Sequence, residues 1–176
     1  MTRPPRKVVI LVVAVLVAVL AGYGLYWYAP WTRVLDTTVN DQLATPPPGE
    51  PDPTRTNDVE YYYVLGGDFV SQRHKTSGRA RVVWPDLGSI YQLELIDLDT
   101  ANGPDLRVWL SDQPVKAGKS GWEVFGTGGR VDLGPLKGNK GTQTYVIPDI
   151  ADLSSVRSVV IWSGRHDVAY GAADMR

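Results

Sequence analysis

The chain has 176 residues, 18 basic against 19 acidic side chains and no cysteine. That length suggests one globular domain with appendages, and the balanced charge excludes a nucleic-acid partner recognised through a basic field. The missing cysteines exclude disulfides, thiolate nucleophiles, cysteine-ligated zinc, iron–sulfur clusters and thioether-linked haem.

Arg3, Arg6 and Lys7 precede an uncharged apolar run from Val8 to Leu25. At roughly 1.5 Å of rise per residue this run is long enough to span a bilayer. Tyr23, Tyr26, Trp27, Tyr28 and Trp31 gather at its far end, where amphipathic rings favour the interface. The basic residues lie before the run, so the positive-inside bias puts the N-terminus in the cytoplasm and the remainder outside. The alternative is a signal peptide cut after Ala21. The run is long for one, and Val19-Leu20-Ala21 is a poor cleavage pattern. The reading is therefore a single-pass cell-membrane protein, with residues 1–28 as cytoplasmic tip and transmembrane helix inserted through residues 8–25.

Residues 29–58 read as a membrane-proximal segment and linker. Val34, Leu35, Val39 and Leu43 give Thr32 to Ala44 a partial stripe, which predicts a short helix at the membrane surface. Thr45 to Asp58 (TPPPGEPDPTRTND) is too polar and proline-rich to be core, and predicts a semi-stiff spacer.

Residues 59–176 form the predicted globular domain. Val59 to Leu65 is a strand ending at Gly66-Gly67, and Phe69-Val70 starts another element. Arg79 to Trp84 is stopped by Pro85. Tyr91, Leu93 and Leu95 share one face of the next strand. Leu106, Val108 and Leu110 alternate with Arg107 and Trp109. Val131 and Leu133 form a short piece, and Thr144 to Ile147 ends at Pro148. Ser158 to Trp162 is a continuous apolar strand, and Val168, Tyr170 and Ala172 share a face of the last. The pattern predicts an all-β antiparallel sandwich of eight or nine short strands.

Particular stretches of this domain resemble the DM13 family. They are Gly67-Asp68-Phe69 with His74 and Gly78, then Asn102-Gly103-Pro104-Asp105-Leu106 with Trp109-Leu110-Ser111. Leu133-Gly134, Leu136-Lys137-Gly138-Asn139, Gly141, Gln143, Tyr145 and Pro148 follow, and Val156 to Trp162 and Val168 to Ala173 close the match. The resemblance implies a β-sandwich-like extracytoplasmic module with a proposed electron-transfer role. It also implies a cysteine directly after the Ile-Trp pair, as a free thiol or the holder of a group such as haem. Here that position is Ser163, whose hydroxyl is not a redox couple and is a poor iron ligand beside a thiolate.

The expected function is therefore binding or interaction with a cell-surface protein or ligand, without catalysis and without a resident cofactor. A redox module with a histidine-ligated haem or metal is the alternative, and His74 and His166 are the candidate ligands. Ser163, His166 and Asp167 could suggest a hydrolase, but the segment lacks G-x-S-x-G and Ser-Gly is an ordinary turn. Asp97, Asp99, Asn102 and Asp105 form an oxygen-rich stretch with calcium-ligand chemistry, but its spacing misses the EF-hand. Trp109, opposite the apolar face of its strand, is the candidate contact surface.

Overall fold

The computed structural model describes residues 5–28, 36–43, 62–84, 90–149 and 151–176. The linker expected over Thr45 to Asp58 lies outside the described residues. Helix α1 (Arg6–Tyr28) carries the apolar run. Its Arg6–Gly24 portion has the length and composition of a membrane span or signal sequence, with none of it buried. Nine strands follow: β1 (Thr38–Asn40), β2 (Tyr62–Ser71), β3 (Thr76–Trp84), β4 (Gln92–Thr100), β5 (Leu106–Ser111), β6 (Arg130–Pro135), β7 (Lys140–Val146), β8 (Ser158–Ser163) and β9 (Val168–Asp174).

The strands form one curled sheet in the order β1-β7-β4-β3-β2-β9-β8-β5-β6. Strand β2 makes it a sandwich. Its first half pairs with β3, and Phe69 to Ser71 pair with β9. Gly66-Gly67, predicted to end a strand, lets it cross between layers instead. A Cβ on Gly67 would collide with the backbone carbonyl of Asp174. Beyond the crossing, Asp68 accepts from Arg79 Nε at 2.8 Å.

The inner faces supply the main core: Ala80, Val82, Leu93 and Leu95 from one layer, Val108, Leu110, Val159 and Ile161 from the other. Strict alternation of these residues with outward ones is what a two-layer sandwich requires. In β9 a bulge interrupts the alternation opposite Ile161 and Trp162. Val168, Tyr170 and Ala173 join the main core, whereas Ala172, expected beside Tyr170, joins Ala169 in a second cluster.

That second cluster overturns the reading of Trp109 as a contact surface. Trp109 does lie opposite Leu106, Val108 and Leu110, but residues 112–129 fold back over that face through 3-10 turns at Lys119–Gly121 and Val124–Gly126. Phe125 is fully buried there. Trp109 stacks on Trp162 with ring centroids 4.7 Å apart, and the Arg130 guanidinium sits 4.5 Å from the Trp109 ring centre. Trp109 is thus 6% exposed.

A further correction concerns residues 36–43. The expected surface helix is not formed there; β1 is an edge strand, paired in parallel with β7 through Thr38–Lys140 and Asn40–Thr142. This is the one parallel pair among the described strands of an otherwise antiparallel sheet. The β domain therefore begins before residue 59, and residues 44–61 connect two of its strands. Ion pairs fix the strap: Lys140 Nζ to Asp36 at 2.7 Å and Lys137 Nζ to Asp41 at 2.5 Å. Asn139 bonds both Asp36 and the Thr37 N–H. Gly138 and Gly141 make room for it, since a Cβ on either would strike the backbone of Thr37 or Val39.

These ion pairs make docking of β1 acid-sensitive. Hydrogen bonds from Lys140 and Asn139 lower the Asp36 pKa from 3.8; one from Lys137, then the Thr144 N–H, lower that of Asp41. Groups depressed on folding contribute fully above their unfolded pKa, and the contribution is lost as pH falls through the folded value. Amide hydrogen exchange should accelerate in 36–43 and 140–144 at about pH 3 relative to about pH 6, before β8 or β9 opens. Equal protection of β1 at both values would show that the carboxylates do not hold it.

Candidate functional site

Four connections meet at the end of the sandwich where β1 enters. They are residues 72–75 between β2 and β3, 101–105 between β4 and β5, 136–139 between β6 and β7, and 164–167 between β8 and β9. Their residue types account for their closeness. Gly103 lets the backbone approach the Tyr170 hydroxyl, with which a Cβ there would collide. Asp105 and Asp167 hold positive φ, both 51°, a conformation Asp tolerates better than most residues. The Gly164 N–H donates to the Asp105 carbonyl at 2.9 Å, and the Leu136 N–H to the Leu106 carbonyl at 2.8 Å.

Ser163 sits inside this corner, opposite Leu106, with no exposed surface. Its Oγ donates to the Pro104 carbonyl at 3.0 Å and lies 3.5 Å from His166 Nδ1. The central and closing motifs thus form two halves of one corner, joined by the Ser163 hydroxyl. A thiolate-held group does not fit the residue present, because the serine oxygen replaces the sulfur and its proton already engages a backbone carbonyl. The same burial disfavours the hydrolase reading, since a nucleophile must reach its substrate.

His74 lies at the same end although 92 residues separate it from His166. Pairing of β2 with β9 brings their turns together. The His74 ring is 4.0 Å from that of Tyr170, tilted by 34°. Burial first, then the charges of Arg73 and His166, lower its pKa from the usual 6.5, favouring the neutral imidazole. The structure thus places both candidate histidines in one neighbourhood. Among the described residues no group of three or more His, Cys, Asp or Glu converges in a metal-like cluster.

The four residues considered for calcium are separated, which corrects their reading as one loop. Strand β4 continues to Thr100, so Asp97 and Asp99 are strand residues. Asp97, at φ 49°, lines a cavity of about 560 Å³ with Asp68, Ser77 and Arg79. Asp99 pairs in register with Lys140. Asn102 and Asp105 line a different cleft of about 260 Å³, alongside Thr37, Leu136 and Asn139.

Reading motifs alone missed the network under that cleft. Gln143 is fully buried, and its Nε2 donates to the Gly138 carbonyl at 2.6 Å. The Tyr145 hydroxyl donates to Gln143 Oε1 at 2.8 Å and accepts the Lys137 N–H at 3.0 Å. Burial pushes the Tyr145 pKa up to about 12, so this hydroxyl stays protonated. The signal was the Gln143–Tyr145 spacing in a strand, which puts both side chains on one face.

No curated protein matches the chain, and no solved structure does. Residues 68–175 match the family described as Electron transfer DM13. The match begins at the β2 crossing, takes in all four connections of the Ser163 corner, and leaves out α1 and β1. With more than half of its length matched, the chain belongs to the DM13 family.

Proposed function

We propose that this chain is a membrane-anchored, extracytoplasmic DM13 domain that works as a binding or interaction module, with no redox couple at the family's cysteine position. The supporting observation is the buried Ser163 hydroxyl bonded to the Pro104 carbonyl. That is a structural bond tying two turns together. A serine hydroxyl can hold a corner in this way but cannot cycle between thiol and disulfide or offer a soft metal ligand. The basic residues before α1 and the aromatic residues at its end support an N-in, single-pass anchor.

A second reading draws on the two histidines that share the corner. The half-buried His74, favouring its neutral form, has the protonation state that metal ligation needs. In that reading the imidazoles take over from the missing sulfur, and a haem or metal ion would supply the electron-transfer chemistry.

The visible spectrum of the full-length protein, expressed with ample haem and transition metals, separates these readings. The expected result is a colourless protein with no reversible redox wave. A haem band lost in His74→Ala or His166→Ala would overturn the first reading. Ser163→Cys should fold at a cost of no more than about 1.5 kcal/mol, the worth of the bond to Pro104. With no exposed surface at this position, its thiol should react slowly with thiol reagents until the domain is unfolded.

A further inference from the structure

The chain enters the β domain at the same end that holds Ser163. Asp36 and Thr37 are bonded to Asn139, in the connection between β6 and β7. Only eight Cα steps separate Tyr28, the last residue of α1, from Asp36. Fully extended, they reach about 29 Å; as an ordinary flexible chain they average about 16 Å. The domain is itself about 30 Å along its nine-residue strand β3. A tether this short, attached at one end, keeps that end toward the bilayer. The proline-rich stretch does not lengthen it, because residues 44–61 leave and rejoin the domain.

Charge is distributed in the same sense. The exposed residues around this end include Arg73, Lys75, Lys116, Lys119 and Arg165, against Asp105, Glu123 and Asp167. Lys116 and Lys119 reach this end because Gln72 Nε2 donates to the Lys116 carbonyl at 3.1 Å. Arg73 lies over the neighbouring Trp122 ring, 5.6 Å from its centre. At the opposite end Asp149 and Asp152 are exposed, and the connection 44–61 adds Glu50, Asp52, Asp58 and Glu60 against Arg55.

We infer that the end of the domain bearing the Ser163 corner lies against the membrane surface and binds anionic lipid headgroups through Arg73, Lys75, Lys116, Lys119 and Arg165. This rests on α1 remaining as an uncleaved anchor. Basic side chains near an anionic bilayer contribute about 1 kcal/mol each, and the attraction fades within a Debye length. The DM13 corner then faces lipid, and the opposite end faces outward.

The test uses the full chain in vesicles and exploits its lack of cysteine. A single fluorophore is placed at Ser120→Cys, within the basic surface, or at Asp149→Cys, at the opposite end. Energy transfer to an acceptor-labelled lipid is read in phosphatidylglycerol-rich and in pure phosphatidylcholine vesicles. Transfer from position 120 should exceed that from 149 several-fold in anionic vesicles. It should fall with salt, with phosphatidylcholine, and in the variant carrying R73E, K75E and K119E. Equal transfer from both positions, or greater transfer from 149, would overturn the orientation. Strong transfer from 120 that ignores lipid charge and salt would overturn headgroup binding, leaving the tether or a membrane protein to orient the domain. Cellular protein found soluble with its N-terminus near Gly22 would instead remove the anchor, and this inference with it.

Discussion

Trp162→Ala should lower the stability of the domain by about 3–5 kcal/mol, the range for truncating a buried large aromatic. Trp162 is 3% exposed and lies in β8, a strand buried along its whole length. One face of its ring stacks on Trp109, and residues 124–126 pack near it closely enough that a Cβ on Gly126 would fall 3.2 Å from the ring. Truncation therefore opens a cavity between a sheet and its covering segment, and removes an aromatic stack worth about 0.5–1.5 kcal/mol beyond its buried area. A domain of ordinary stability, about 5–15 kcal/mol, would lose a large share of it. Urea unfolding measures the loss. The near-ultraviolet dichroism of the coupled indoles should vanish at the same time. An unchanged midpoint would mean that residues 112–129 do not cover the sheet.

The second large effect is expected at Glu94. This carboxylate is fully buried and accepts from Arg81 Nε at 2.6 Å, directly across β3 and β4. Glu94→Ala leaves a guanidinium with 8% side-chain exposure beside a void and should cost about 3–5 kcal/mol. The double replacement Arg81→Met with Glu94→Leu removes both charges together and should recover most of that loss, because two desolvation penalties disappear with the attraction. Thermal melts of both single variants and the double variant give the coupling directly. Additive losses would show that the two side chains are held by other partners and do not stabilise each other.

The strands were legible because burial on one side leaves a period of two in the sequence. Leu93 and Leu95, or Leu106, Val108 and Leu110, state their face without help. The Ser163 corner was legible as motifs, although its hydrogen bond to Pro104 depends on a register that no local stretch encodes. What escaped the sequence depended on distant partners. Thr38-Val39-Asn40 has no strand pattern of its own; Gly138 and Gly141, about a hundred residues later, clear its place. Trp109 was assigned to the correct face of its strand, but residues 112–129 are glycine-rich and aperiodic, so nothing local declares that they cover it. Asp97 and Asp99 read as loop residues because a bulge between Leu95 and Leu98 disturbs the alternation of β4. Glu94 and Arg81 were visible as charges inside apolar runs, a pattern that points to a buried pair.

The parallel pairing of β1 with β7 also dictates an order of events during synthesis. The Thr37 N–H finds its partner on Asn139, 102 positions later in the chain. Such a pair closes one of the largest loops the chain can form, whose entropy is lost before its few contacts compensate. The first segment of the domain to leave the ribosome therefore has no template until β7 has followed it. It waits, extended, while the antiparallel neighbours assemble, and settles last onto an edge already in place. The final closure draws the rest of the domain in toward the helix that was made first.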